Sequence, residues 1–308
     1  MGRRWVLSAI AVGAAAGLLF AIFPQLDLAI PGWFFDPVHG NFPLAITWFP
    51  NLIRTIGHWT TWLIVFAAGG SLLAKILFPR MKALLSPRIA LFLVCSFAIG
   101  PGLIVNGILK PTWTRPRPVF VQQFGKQETF EPWWKPGGDC RSNCSFVSGD
   151  AAEAFWLLAP ASITPPIIRP AAEIAVVGFA TALGSLRVVF GRHFPTDVIF
   201  AGVIMVIAVA ACRRVFLRMD DSKIERSLVR IGDSLRHYFA RWLNWLRAAL
   251  QRKSRDGRGD PHQSHEKKRK EHTSRGEVLG DTDGIVFFGL DMIAQPLDRG
   301  VEELDRED

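Results

Sequence analysis

Long apolar runs fill the first two-thirds of this 308-residue chain and constrain its fold more than any other feature. Each is close to the roughly 20 residues that a helix needs to cross a bilayer. They cover Trp5–Pro24, Thr60–Phe78, Arg88–Leu109, Gly149–Thr164, Ala171–Ser185 and Thr196–Leu217. The fourth and fifth are short and contain polar residues, which neighbouring helices can shield from lipid. The pattern therefore predicts an all-α bundle of six membrane-spanning helices.

The distribution of basic residues predicts the orientation of these helices. Arg3 and Arg4 precede the first run, and Arg213 and Arg214 follow the last. Because Lys and Arg collect on the cytoplasmic side, both termini are expected in the cytoplasm and loops 25–59, 110–148 and 186–195 outside. The first run could instead be a signal peptide, but it is long for one and no small-residue cleavage site follows, which favours an uncleaved anchor.

The formal net charge of +9 is explained by this topology, in which basic residues collect on the cytoplasmic side. It does not indicate nucleic-acid binding, since no recognisable nucleic-acid module accompanies the charge. The second outer loop nevertheless carries six basic residues against the usual bias, which suggests a functional reason. They are Lys110, Arg115, Arg117, Lys126, Lys135 and Arg141.

The stretch from Lys110 to Pro118, "KPTWTRPRP", could be a basic cluster that binds lipid headgroups. Its prolines stiffen the chain, however, and would hold Lys110, Arg115 and Arg117 in a fixed relation that suits a phosphate.

The stretch "SLRVVFGRHFPTDV" places Arg187, His193 and Asp197 around the last outer loop. A carboxylate four residues after a histidine can reach back one helical turn and fix the tautomer of the imidazole. The HxxxD spacing can also bind metal, but the outer side offers only His39 and His58 as further imidazoles, in no ligand-like cluster.

In "NCSFVSGDAAEAFW", Ser148 and Gly149 precede an apolar helix whose first amides would favour an anion. Ser-Gly is also an ordinary helix start.

Together these three segments resemble the type 2 phosphatidic acid phosphatase (PAP2) family, which shares its core with vanadium haloperoxidases. Lys110, Arg117 and Pro118 match the motif K-x6-R-P. "SLRVVFGRHFPTD" matches S-R-x5-H-x3-D apart from one extra residue, Leu186, after the serine. "VSGD" keeps the Ser-Gly of P-S-G-H but replaces its proline by Val147 and its histidine by Asp150. The resemblance covers about residues 60–217.

The resemblance implies a membrane lipid phosphatase without metal or cofactor, in which His193 attacks phosphorus and forms a phosphohistidine. Asp197 would orient His193. The remaining matched residues would bind the phosphate oxygens, and they are Lys110, Arg117, Ser148, Gly149 and Arg187.

Asp150 stands where the family has the histidine that protonates the leaving group, and three roles remain open for it. It could be the acid if it is protonated; it could be dispensable if the leaving group is good; or it could only orient water or arginines. A catalytically impaired protein that binds lipid phosphates is the alternative to an enzyme, and a lipid-to-lipid phosphotransferase is the alternative to a hydrolase.

A site facing the periplasm of a bacterial inner membrane would meet lipid phosphates. The candidate substrates are lipid A 1-phosphate, undecaprenyl diphosphate, phosphatidylglycerol phosphate and phosphatidic acid, and a good leaving group favours the first two. In the oxidising periplasm Cys140 and Cys144 could form a disulfide beside the site, although their three-residue spacer is tight.

After a membrane domain over 1–219, apolar residues recur at helical spacing and predict a basic amphipathic helix over 220–252. This helix would lie on the inner membrane surface or bind a partner. Residues 253–308 are highly charged at first and predict a disordered cytoplasmic tail.

Overall fold

The computed structural model describes residues 2–82 and 84–256. Over these residues the chain is helical without β-strands, which confirms the all-α prediction. The helices are α1 (Arg3–Ile22), α2 (Gln25–Gly32), α3 (Trp48–Leu77), α4 (Pro87–Phe97), α5 (Lys110–Trp113), α6 (Gly149–Trp156), α7 (Leu158–Ala161), α8 (Arg169–Val189), α9 (Pro195–Phe216) and α10 (Asp221–Asp256). A π-helical stretch, Ala98–Leu109, joins α4 to α5. Single 3₁₀ turns cover Pro43–Ile46, Pro118–Phe120 and Gln122–Phe124.

Within the described ranges, five helical segments are long and apolar enough to span a membrane, so the predicted count of six is not confirmed. They are Arg3–Ile22, Trp48–Leu77, Pro87–Phe120, Arg169–Val189 and Pro195–Phe216. The predicted fourth span is instead the short pair α6 and α7. Pro160 accounts for the break, because it has no N–H to donate to the carbonyl of Trp156.

Helix α3 begins at Trp48, twelve residues before the predicted start of the second span at Thr60. Pro50 does not prevent this, since proline is tolerated in the first turn of a helix. Residues 48–59 therefore belong to a membrane-length helix and are not part of an outer loop.

The core lies where α6 packs between α8, α9 and the π-helical stretch. Trp156 is fully buried there, and its indole donates to Ser96 Oγ at 2.9 Å. Helices α8 and α9 approach closely at Gly184, where a Cβ would overlap the side chain of Val198. This packing fixes the ends of the helices from which the site is built.

The chain divides into two compact units, 1–241 and 242–308. In the first unit, α10 starts beside the ends of α3 and α4, because Glu225 pairs with Lys75 at 2.6 Å and Asp221 with Arg88 at 3.1 Å. The described part of the second unit is the end of α10. The position of this helix on the membrane stays a prediction, and the predicted disordered tail lies outside the described residues from 257 onward.

Candidate active site

The residues predicted from the three motifs meet at one end of the bundle. Lys110 begins α5, Gly149 begins α6, Arg187 lies near the end of α8, and His193 precedes α9. The Ser148 amide donates to the Asp197 carbonyl at 3.1 Å, which ties the start of α6 to that of α9. The helix packing thus gathers motifs that lie far apart in sequence.

A tight turn after α8 carries the chain from Arg187 to His193. The amides of Arg192 and His193 both donate to the carbonyl of Arg187, at 2.9 and 3.2 Å. The turn requires Gly191 because its φ is +63° and the ring of Phe42 occupies the place of a Cβ. The chain consequently places the imidazole close to the last turn of α8.

His193 is held in one tautomer by the backbone. Its Nδ1 lies 2.8 Å from the carbonyl oxygen of Ser145, whereas the nearest oxygen of Asp197 is 3.7 Å away. A carbonyl oxygen can only accept, so Nδ1 carries the proton and Nε2 presents its lone pair. Burial lowers the pKa of His193 to about 4, although Asp197 acts to raise it. The ring is therefore neutral near pH 7, as a nucleophile must be.

Asp197 positions His193 mainly through Ser145 and less by direct contact with the imidazole. Its Oδ2 accepts from Ser145 Oγ at 2.5 Å and from the Phe194 amide at 2.8 Å. Its Oδ1 accepts from Arg115 Nη1 at 2.6 Å. Asp197 thereby fixes Ser145, whose carbonyl in turn holds the imidazole.

Arg115 is the centre of this buried network, and its side chain is completely inaccessible to solvent. Besides Asp197, it donates to Asp27 Oδ2 at 2.8 Å, to Thr196 Oγ1 at 2.9 Å and to the Glu131 carbonyl at 2.8 Å. Thr196 donates to Asp27 through both its amide and its hydroxyl. The guanidinium thus balances two buried carboxylates, one from α2 and one from α9.

The predicted phosphate-binding cations surround the start of α6. Lys110 Nζ donates to Asn143 Oδ1 at 3.3 Å, and Arg117 Nε donates to the Asn143 carbonyl at 2.9 Å. A Cβ on Gly149 would lie 3.1 Å from Lys110 Nζ, so the glycine allows the ammonium to approach the helix start. Ser148 Oγ accepts from the amide of Ala151 at 3.3 Å and caps the helix. Cations and helix amides together favour an anion here.

Asp150 lies between two arginines from different helices. Its Oδ2 is 2.9 Å from Arg187 Nε and 3.6 Å from Arg54 Nη1. Burial alone would raise the pKa of Asp150, but these cations, with the two histidines His193 and His58, outweigh burial and leave the pKa below its usual value. The carboxyl group is therefore ionised.

The loop before α6 is closed by a disulfide between Cys140 and Cys144, whose Cα atoms are 5.7 Å apart. Asn143, which contacts Lys110 and Arg117, lies inside this loop. The bridge consequently restrains the segment that positions both cations.

Several residues of the site were not identified from the sequence. The sequence places Arg54 in an outer loop and gives no signal for Asp27, Ser145 or Glu153, the last of which lies 2.7 Å from His58. Arg115, expected beside Lys110 and Arg117 as a phosphate ligand, is instead completely buried against Asp27 and Asp197. All five act through contacts with distant segments, which spacing alone does not reveal. Among residues 2–82 and 84–256, no three His, Cys, Asp or Glu side chains converge as metal ligands.

Comparison with known proteins agrees with this geometry. Residues 89–220 match the PAP2 superfamily. A Francisella tularensis subsp. novicida protein described as a lipid A 4'-phosphatase is 32% identical over 216 residues, which cover 68% of this chain and 94% of that protein. The chain belongs to the PAP2 superfamily. It is a membrane phosphatase whose substrate is a lipid phosphate, as the sequence predicted.

Two further PAP2 relatives carry the same description. A Rhizobium etli lipid A 4'-phosphatase is 32% identical over 200 residues, covering 64% of this chain and 70% of that protein. One from Rhizobium leguminosarum is 37% identical over 113 residues, covering 37% and 48% respectively. No solved structure matches the chain.

Proposed function

We propose that this PAP2 protein hydrolyses the 4'-phosphate of lipid A at the periplasmic face of the inner membrane, through a phosphohistidine on His193. The neutral imidazole, with Nε2 free beside a group of cations, is the observation that carries the chemistry. Among the four candidate lipids, the relatives favour lipid A, and their shared description favours the 4' position over the 1 position.

In the first step Nε2 attacks phosphorus while the sugar oxygen departs, and in the second step water hydrolyses the N–P bond. Lys110, Arg117 and Arg187 bind the non-bridging oxygens and offset the charge of the transition state. The amides at the start of α6, at Ser148 and Gly149, add to this field. Asp197 and Ser145 hold the ring in place.

Of the three roles open to Asp150, we favour the orientation of arginines. An ionised carboxylate cannot donate a proton, but its Oδ2 attracts both Arg187 and Arg54. Both guanidinium groups are then held ready for the phosphate.

The positive-inside rule supports the proposed orientation. The site lies at the start of α9, whereas Arg213 and Arg214 lie at its other end. This arrangement supports a site outside and both termini in the cytoplasm, which requires α6 and α7 together to carry the chain across the membrane.

The test is phosphate release by purified protein from bis-phosphorylated lipid A, with the product's remaining phosphate located by mass spectrometry. We expect loss of the 4'-phosphate and a signal from a phosphorylated His193 peptide after rapid quenching. With His193→Ala we expect neither release of the 4'-phosphate nor a phosphorylated peptide. If wild type and His193→Ala release equal amounts from lipid A, the proposal is wrong; phosphate found on an acceptor lipid and not in solution would identify a transferase.

A further inference from the structure

A second acid–base pair lies one helical turn from Asp150, and the three motifs do not include it. On α3, His58 follows Arg54 by four residues; on α6, Glu153 follows Asp150 by three. His58 Nδ1 lies 2.7 Å from Glu153 Oε2, and Arg54 Nη1 lies 3.6 Å from Asp150 Oδ2. Because residues three or four apart share a helix face, the two pairs form adjacent rungs between α3 and α6.

The reaction under the proposed function, on which this inference rests, requires a proton donor. The 4' oxygen of the sugar leaves as an alkoxide, which is a poor leaving group unless it is protonated. Asp150 is ionised between two arginines and has no proton to give. Lys110 and the arginines serve as fixed positive charges for the phosphate oxygens.

We propose that His58, held by Glu153, is the general acid that protonates the leaving oxygen and later the general base that activates water. In the first step the N–P bond to His193 forms, the P–O bond breaks, and the proton of His58 Nε2 passes to the sugar oxygen. In the second step the same nitrogen takes a proton from the attacking water as the N–P bond breaks. Each turnover returns both histidines to their starting states.

The environment of His58 suits this role. Its Nδ1 is engaged by Glu153, and within the described residues Nε2 has no hydrogen-bond partner. The side chain is 40% exposed, and Glu153 holds it one helical turn from the contact between Arg54 and Asp150. The Glu153 carboxylate stabilises the protonated imidazole, as a carboxylate orients and supports a catalytic histidine elsewhere.

The pair is also within the electrostatic reach of the phosphate site. Asp150 interacts with His58, and Glu153 interacts with Lys110. The charged groups around the His58–Glu153 pair are thus Asp150 from α6, Arg54, which pairs with Asp150, and Lys110 from α5.

The experiment compares leaving groups in the full-length protein. His58→Asn can keep a hydrogen bond to Glu153 but carries no transferable proton, and Glu153→Gln removes the supporting charge. His39→Asn is the matched control, because His39 pairs with Asp36 at 2.6 Å in an exposed loop. Each variant is assayed on lipid A and on 4-nitrophenyl phosphate, whose phenolate leaves without protonation.

We expect His58→Asn to slow release of the 4'-phosphate by about 10²-fold or more. Hydrolysis of 4-nitrophenyl phosphate should hardly change. Glu153→Gln should show a smaller loss with the same selectivity, and His39→Asn should match wild type on both substrates.

Equal losses of His58→Asn on both substrates, or no loss on either, would overturn the inference. A selective loss in Asp150→Asn with none in His58→Asn would assign the donor to Asp150 and overturn it equally. If wild type hydrolyses a different lipid monoester, the substrate proposal fails, and the same comparison on that lipid decides the role of His58 separately.

Discussion

Replacing Arg115 by lysine should damage both the stability of the bundle and the placement of His193. Lysine keeps the positive charge but has a single ammonium, which cannot reach Asp27, Asp197 and the Glu131 carbonyl together. One buried carboxylate would lose its ionic partner. The cation would also leave its position over the Phe194 ring, where the guanidinium carbon lies 4.2 Å from the ring centre.

The size of the effect follows from these contacts. A hydrogen bond to a charged group contributes about 1.5–3 kcal/mol, and a buried cation–π contact about 1–2 kcal/mol. Breaking one side of a buried ion pair typically costs about 3–5 kcal/mol, because a charge is left without a partner. We therefore expect Arg115→Lys to lower the free energy of unfolding by about 3–5 kcal/mol.

The catalytic effect should fall on kcat and not on KM. Arg115 is fully buried and cannot touch the substrate, but it holds Asp197, which holds Ser145 and hence His193. A displacement of about 1 Å at a reacting group can lower the rate by about 10²-fold. Binding of the phosphate by Lys110 should be unaffected.

The assay is denaturant unfolding in detergent micelles, followed by kinetics of phosphate release under conditions where the variant is folded. Arg169→Lys is the matched control, since within residues 2–82 and 84–256 Arg169 bonds only to the carbonyl of Thr164, and it should lose less than about 1 kcal/mol. If Arg115→Lys is as stable and as active as wild type, or if it changes KM alone, the network does not position His193.

Two further predictions concern the nucleophile and the anion site. Because burial lowers the pKa of His193 to about 4, its imidazole should stay neutral as the pH falls through 6.5 and protonate only near 4. Nitrogen NMR of labelled histidines, assigned with His193→Ala, checks this, and a midpoint near 6.5 would contradict it. Gly149→Ala should displace Lys110 and weaken substrate binding, whereas Gly178→Ala in α8, with open space around its Cβ, should leave kcat and KM unchanged and stabilise α8 by about 0.4–1 kcal/mol. Equal kinetics for the two variants would show that the glycine at the start of α6 has no special role.

The catalytic end of the bundle could be predicted from the sequence because its signals are local. Lys110 and Arg117 are seven residues apart on a proline-stiffened segment, and His193 and Asp197 are separated by one helical turn. Such spacings determine geometry before any packing occurs. The apolar runs likewise gave the helices that carry these segments, apart from the break at Pro160.

The buried network could not be predicted in the same way. Asp27 and Arg115 are 88 residues apart, and Arg115 and Asp197 are 82 apart. In the sequence, Arg115 is one of six basic residues in a loop. The sequence pattern does not distinguish a cation that is buried between carboxylates from one that faces water. Only the packing of α2 against α9 makes the distinction.

The predicted start of α3 at Thr60 is wrong for a related reason. Asn51, Arg54 and His58 interrupt the apolar pattern, so hydropathy places the helix boundary after them. In the structure Arg54 and His58 pair with α6, and Asn51 donates to the carbonyls of Ala45 and Thr47. Polar residues on a membrane helix thus mark the helix face that lines a polar site, which is the usual meaning of such residues.

The exchange of a family histidine for Asp150 has a structural consequence beyond the lost proton donor. A carboxylate beside a phosphate dianion would repel it unless further cations balance the charge. Arg187 alone would be neutralised by Asp150, and Arg54 supplies the additional positive charge. Because Arg54 and His58 come from α3, outside the segment that matches the superfamily, α3 becomes part of the site. The charge of an aspartate at position 150 is therefore balanced only together with the arginine that α3 contributes.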